Sequence, residues 1–152
     1  MSLQEKIVED LKTAMKSGQP LRLETLRSLR AALMEKEIAM RGGPAPMTMD
    51  DEIGVLMSAA KRRKESIDQF AKGGREDLVA QETAELAIIQ EYLPQQIGRS
   101  EIEAVVRAVI TQTGAASAAD FGKVMPATMK QLKGKADGKL IQDIVKELLA
   151  GA

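Results

Sequence analysis

The sequence has no cysteine and no histidine, and each absence removes a body of chemistry. Without cysteine there is no disulfide framework, no thiolate zinc site and no cysteine nucleophile. Without histidine the usual proton carrier near neutral pH is missing, and the Ser–His and Cys–His arrangements go with it. Carboxylates, lysines or a magnesium ion could still serve, but the common hydrolase and transferase constellations are excluded. Aromatics are scarce: Phe70, Tyr92 and Phe121 are the whole set. No apolar run approaches the roughly 20 residues that crossing a bilayer takes. The opening "MSLQEKIVEDL" turns charged at once, unlike a signal peptide, so a cytoplasmic protein is expected. Net charge is lacking too. The 22 basic residues balance 22 acidic ones, and long-range attraction of the whole molecule to polyanions is not expected.

What the chain does contain is helix. Its apolar residues are mostly Leu, Ala, Ile, Val and Met, without alternating β-branched runs. Starts are marked by a Ser or Thr with an acid three residues on, a pairing that satisfies exposed N–H groups. Ser2 with Glu5, Thr48 with Asp51, Ser100 with Glu103 and Ser117 with Asp120 all fit. Stops fall at Gly18 and Pro20, Gly42-Gly43-Pro44, Gly73-Gly74, Pro94, Gly114 and Gly134. Between them run seven stripes of helical period. Leu3, Ile7 and Leu11 open the series, and Ile141, Ile144, Val145 and Leu148 close it. Pro126 is expected to kink or shorten the sixth helix. The fold class is therefore all-α. A helical hairpin bundle of about four helices should span 1–94, with a compact three-helix domain over 99–152.

Three polar features stand out. Arg63 falls on the apolar stripe of the third helix, so either it is buried against Glu82 or Glu85, or it snorkels at the bundle edge. "DDE" at 50–52 invites a magnesium site, but acids suit a helix start and no third ligand is visible, so no metal is assigned. "KRRK" at 61–64 covers a full helical turn beside acids and reads as a solvated face.

Beyond these lies a lysine-rich junction, "MKQLKGKADGKLI". Five lysines and one aspartate lie between Phe121 and Lys139 in a chain otherwise balanced. Asp137 would cap the last helix, whose start offers N–H groups and a positive dipole end. Lys133, Lys135 and Lys139 would surround it, with Lys123 and Lys130 on the preceding helix. Gly134 and Gly138 would let a phosphate approach the backbone. Such a site reads RNA by shape, through phosphate and sugar. The plainer reading is a Lys-rich turn kept soluble by its charge.

Longer stretches carry a resemblance. "LRLETLRSLRAALMEKEI", "KRRKESIDQFAKGGREDLVAQETAELAIIQEYLPQQ" and "TGAASAADFGKVMPATMKQLKGKADGKLIQDIVKELL" resemble the YqeY-like family, in order and over essentially the whole chain. The last stretch is also similar to the tail domain of GatB, a subunit of tRNA-dependent amidotransferases. The resemblance implies a tRNA-binding or amidotransferase-associated module, with chemistry located in domains this chain does not show. A carbon–nitrogen ligase label, with glutamine as amide donor, would be inherited from the shared domain alone. A protein-interaction module is the first alternative and an amide-processing enzyme the second. No cofactor or catalytic residue is assigned.

Overall fold

The computed structural model describes residues 1–151. Seven α-helices and one 3₁₀ turn make up its regular structure, and no strand occurs among the described residues. The chain divides into two compact units, Met1–Leu93 and the part from Pro94 onward. Ala152, the last residue of the expected second domain, lies outside the described residues.

The first unit holds α1 (Leu3–Ser17), α2 (Pro20–Met40), α3 (Met49–Lys72) and α4 (Glu76–Gln90). Both expected capping boxes form here. Ser2 Oγ accepts the Glu5 N–H at 3.1 Å and Glu5 accepts the Ser2 N–H at 3.0 Å. Thr48 and Asp51 do the same for α3. Gly18 ends α1 at φ 64°, a left-handed conformation that glycine adopts without Cβ cost, and Pro20 opens α2 two residues later. The short connections fold α1 against α2 and α3 against α4, and α2 also packs on α3 and α4. Ile7, Leu11, Leu26, Leu29, Leu33, Leu56 and Ile89 fill the resulting core.

Polar residues tie this bundle together. Glu52 is buried, and its carboxylate accepts the Gln4 N–H at 2.8 Å, linking the starts of α1 and α3. The "DDE" acids thus serve two helix starts, through Asp51 and Glu52. Arg63 is three-quarters buried and donates to Glu82 at 3.0 Å and to Glu85 as well. Of its two expected readings, the paired one holds. At the end of α4, the Tyr92 hydroxyl donates to Asp10 of α1 at 2.5 Å and accepts from Arg22 of α2 at 3.3 Å. Lys6 lies 5.5 Å over its ring.

The second unit holds α5 (Arg99–Thr113), a 3₁₀ turn (Ala118–Asp120), α6 (Phe121–Leu132) and α7 (Gly138–Ala150). Each helix contacts the other two. Ile102, Val106, Val109, Val124, Leu132, Ile141, Ile144, Val145 and Leu149 form a separate core. On α7 the buried stripe ends on Leu149, with Leu148 at its partly buried edge.

One capping expectation fails locally, and the shortening of α6 at Pro126 does not occur. Ser100 is not a cap: α5 starts at Arg99 with Gly98 as cap, because Glu103 is engaged by Arg99 at 2.9 Å. Pro126 neither breaks nor ends α6. The carbonyl its missing N–H leaves unpaired belongs to Gly122, and both residues are exposed, so water can serve it. Ser117 and Asp120, by contrast, build the box foreseen for them, around the 3₁₀ turn.

Candidate nucleic-acid interface

The lysine-rich junction is the short connection from α6 to α7, running through residues 133–137. Leu132 anchors one end in the core and Ile141 the other, while Ala136 between them is buried. The connection therefore turns over a fixed apolar base. Gly134 makes the turn at φ 80°, a left-handed conformation disfavoured for any other residue. The Lys135 N–H donates back to the Leu132 carbonyl at 2.9 Å.

The preceding segment braces this loop from outside. The Gln96 side-chain amide donates to the Gly134 carbonyl at 2.6 Å and to the Pro94 carbonyl at 2.9 Å. The Ile97 N–H donates to the Lys135 carbonyl at 3.0 Å. The backbone is thus clamped on both sides, and Lys133, Lys135 and Lys139 are left on the exposed surface. Alternation produces this. Residues 132, 134 and 136 are buried, so 133 and 135 point outward.

Lys130 joins them from the last turn of α6, exposed, with Lys133 next to follow as its C-cap. Lys123 does not. It sits in the first turn of α6, about 15 Å along the helix from Lys133, and pairs with Asp120 at 3.8 Å. Phe121 beside it underlies Lys146 of α7 at 5.8 Å, so the start of α6 lies beside the latter half of α7, away from the loop.

Gly134 has a different role from the one expected of it. Gly134 is buried beneath Gln96 and supplies the turn, so its backbone is closed to a phosphate. A Cβ at Gly138 would come within 3.9 Å of Met129, ordinary packing contact. Asp137 caps α7 by accepting the Lys139 N–H, at a long 3.4 Å. A carboxylate therefore already occupies the helix start. The site is a patch of ammonium groups on a rigid turn, with little backbone contribution. Gln96 and Ile97 were not legible as parts of it, since nothing in their local spacing ties them to a loop about forty residues away.

Among the described residues there is no group of three or more metal-ligating side chains and no helix long and apolar enough to cross a membrane.

Comparison with known proteins bears on the whole chain. A family model described as "Yqey-like protein" matches residues 4–149. A protein of Pyrenophora tritici-repentis named "Altered inheritance of mitochondria protein 41, mitochondrial" is 30% identical over 146 residues, covering 92% of this chain and 77% of the relative. Proteins of the same name from Saccharomyces cerevisiae (strain YJM789) and Eremothecium gossypii are 37% and 40% identical over 95 and 86 residues. Those two alignments cover 62% and 56% of this chain, and 50% and 45% of the relatives' own length. Reaching nearly from end to end, the family match agrees with the helical architecture: the chain belongs to the YqeY-like family.

Proposed function

We propose that the second unit is a non-catalytic module that holds structured RNA, in the first place the body of a tRNA, through its phosphates. The observation that carries this reading is the braced turn with Lys130, Lys133, Lys135 and Lys139 at its surface. Ammonium groups on a fixed turn act as point charges for phosphate oxygens and carry no base information, which suits recognition by shape. The resemblance of the same stretch to the GatB tail domain supports tRNA over other polyanions and makes an amidotransferase the corresponding protein partner. The cytoplasm is the compartment adopted in this reading. The curated relatives carry a mitochondrial name, and mitochondria also contain tRNA.

Four lysines without aromatic stacking make a weak site, one expected to depend strongly on salt. The test is binding of the full chain to folded tRNA over a salt series, beside the Lys133→Glu, Lys135→Glu double variant. Each lost phosphate contact should flatten the slope of log affinity against log salt by about 0.7 to 0.9. Equal binding by the double variant and the parent would assign RNA, if bound at all, to another surface.

A further inference from the structure

A cleft of about 370 Å³ opens in the first unit where the start of α1, the end of α2 and the start of α3 meet. That volume suits a small molecule. Gln4 draws two carboxylates to it from different helices. Its backbone N–H donates to Glu52 Oε2 at 2.8 Å, and its side-chain amide donates to Glu37 Oε2 at 3.3 Å. Each acid commits one oxygen and keeps Oε1 without a protein hydrogen bond among the described residues. Glu52 is 5% exposed. No fully enclosed polar side-chain atom among the described residues lacks a partner, so its free oxygen reaches the cleft that it lines. Arg41, on the same lining, is exposed, and among the described residues its guanidinium has neither an ion pair nor a hydrogen bond. Met40 and Met47 supply an apolar wall.

A buried carboxylate is costly to keep charged, and a neutral oxygen would serve the Gln4 N–H as well. The charge of Glu52 is thus left for a cation that no side chain among the described residues supplies. The lining holds two carboxylates and one guanidinium. Neighbouring Glu5 and Asp51 serve the capping boxes of α1 and α3 and add no positive charge. Phosphate would be repelled by this surplus of acid, and among the described residues no third acid completes a metal site. A simple amine would leave Arg41 unanswered. A basic α-amino acid, with two cationic groups, one carboxylate and a methylene chain, is the inverse of the lining on every count. We propose that this cleft binds a free basic α-amino acid of the lysine or ornithine type. Its cationic groups meet the free oxygens of Glu52 and Glu37, its carboxylate pairs with Arg41, and its methylenes lie on Met40 and Met47. The site lies wholly within the first unit and is independent of the RNA reading.

The experiment follows amide and methionine methyl resonances of the full chain while free lysine is added. Cadaverine lacks the carboxylate, norleucine lacks the second ammonium, and Nα-acetyl-lysine mimics the C-terminal lysine of a peptide; these three serve as comparisons. Lysine should shift Gln4, Met40, Arg41 and Met47 saturably. Each comparison should bind about tenfold more weakly, the loss of one charge-assisted contact. Arg41→Gln should lower lysine affinity about tenfold and leave cadaverine unchanged, whereas Glu37→Gln should weaken both. Both positions are exposed, so melting should not change. Glu52→Gln removes the buried charge but keeps an acceptor for the Gln4 N–H, and it should abolish the saturable shifts. The two exposed variants keep the test decisive whatever Glu52→Gln does to the fold. The proposal is overturned if lysine shifts none of these resonances, or if Arg41→Gln and Glu37→Gln bind it as the parent does. It is likewise overturned if cadaverine, norleucine or Nα-acetyl-lysine binds as tightly as lysine.

Discussion

Tyr92 brings α1, α2 and the end of α4 together at one hydroxyl. It is 5% exposed and donates to Asp10 while accepting from Arg22. Burial, reinforced by the bond to Asp10, pushes its pKa well above the ordinary tyrosine value. The protonated form is therefore the one the fold favours. The associated stability is fully present below about pH 10, where free tyrosine titrates, and is lost as pH rises toward the raised folded value. Tyr92→Phe should be less stable than the parent near pH 8, and the difference should shrink toward pH 11, read by urea denaturation. Arg63 makes the second prediction at this scale. Removing it strands two carboxylates, so Arg63→Ala should cost about 2 kcal/mol, below the 3–5 of a fully buried pair because the guanidinium is partly solvated. Glu82→Gln added to it should restore part of that loss. The Arg63 pairing was readable because a cation on an apolar stripe demands an acid nearby. Tyr92 with Asp10 was not, because 82 residues separate them and no local pattern joins them.

Single helices depend on their ends. Thr48 satisfies the Asp51 N–H at 3.2 Å, and Asp51 returns the contact, so Thr48→Ala should destabilise the first unit by about 1 kcal/mol in thermal melts. The Ser100 pattern looked equivalent in sequence but had a competitor: Arg99 takes Glu103 for an ion pair and shifts the start of α5 by two residues. A capping signature is therefore legible only when its acid has no stronger local partner. Asp120, at the Ser117 box, accepts the Ala116 and Ser117 N–H groups, which hold its carboxyl below the usual range, with Lys123 adding to the effect. Its contribution is present above about pH 4 and is lost as pH falls through the lowered value, a loss Asp120→Asn should abolish in acid titration of the second unit's stability. Pro126 interrupts α6 without breaking it. Pro126→Ala, which restores a donor for the Gly122 carbonyl, should raise the melting temperature.

For the whole molecule the decisive fact is two cores. Ile144 is fully buried in the second, so Ile144→Ala should remove about 3 kcal/mol from the second unit. Amides in 99–150 should then lose hydrogen-exchange protection while those in 3–90 keep theirs. A uniform loss over both would mean that the units unfold together. The all-helical class followed from apolar period and glycine stops, which act locally. The dressing of the lysine loop did not, because Gln96 and Ile97 reach it only through the fold. Residues 94–98 look in sequence like a mere spacer, yet they hold Gly134 and Lys135 in place. Swapping that stretch for glycine and serine would leave every lysine intact and still slacken the turn that presents them. A stretch that joins two units is here also the scaffold of a turn about forty residues further on.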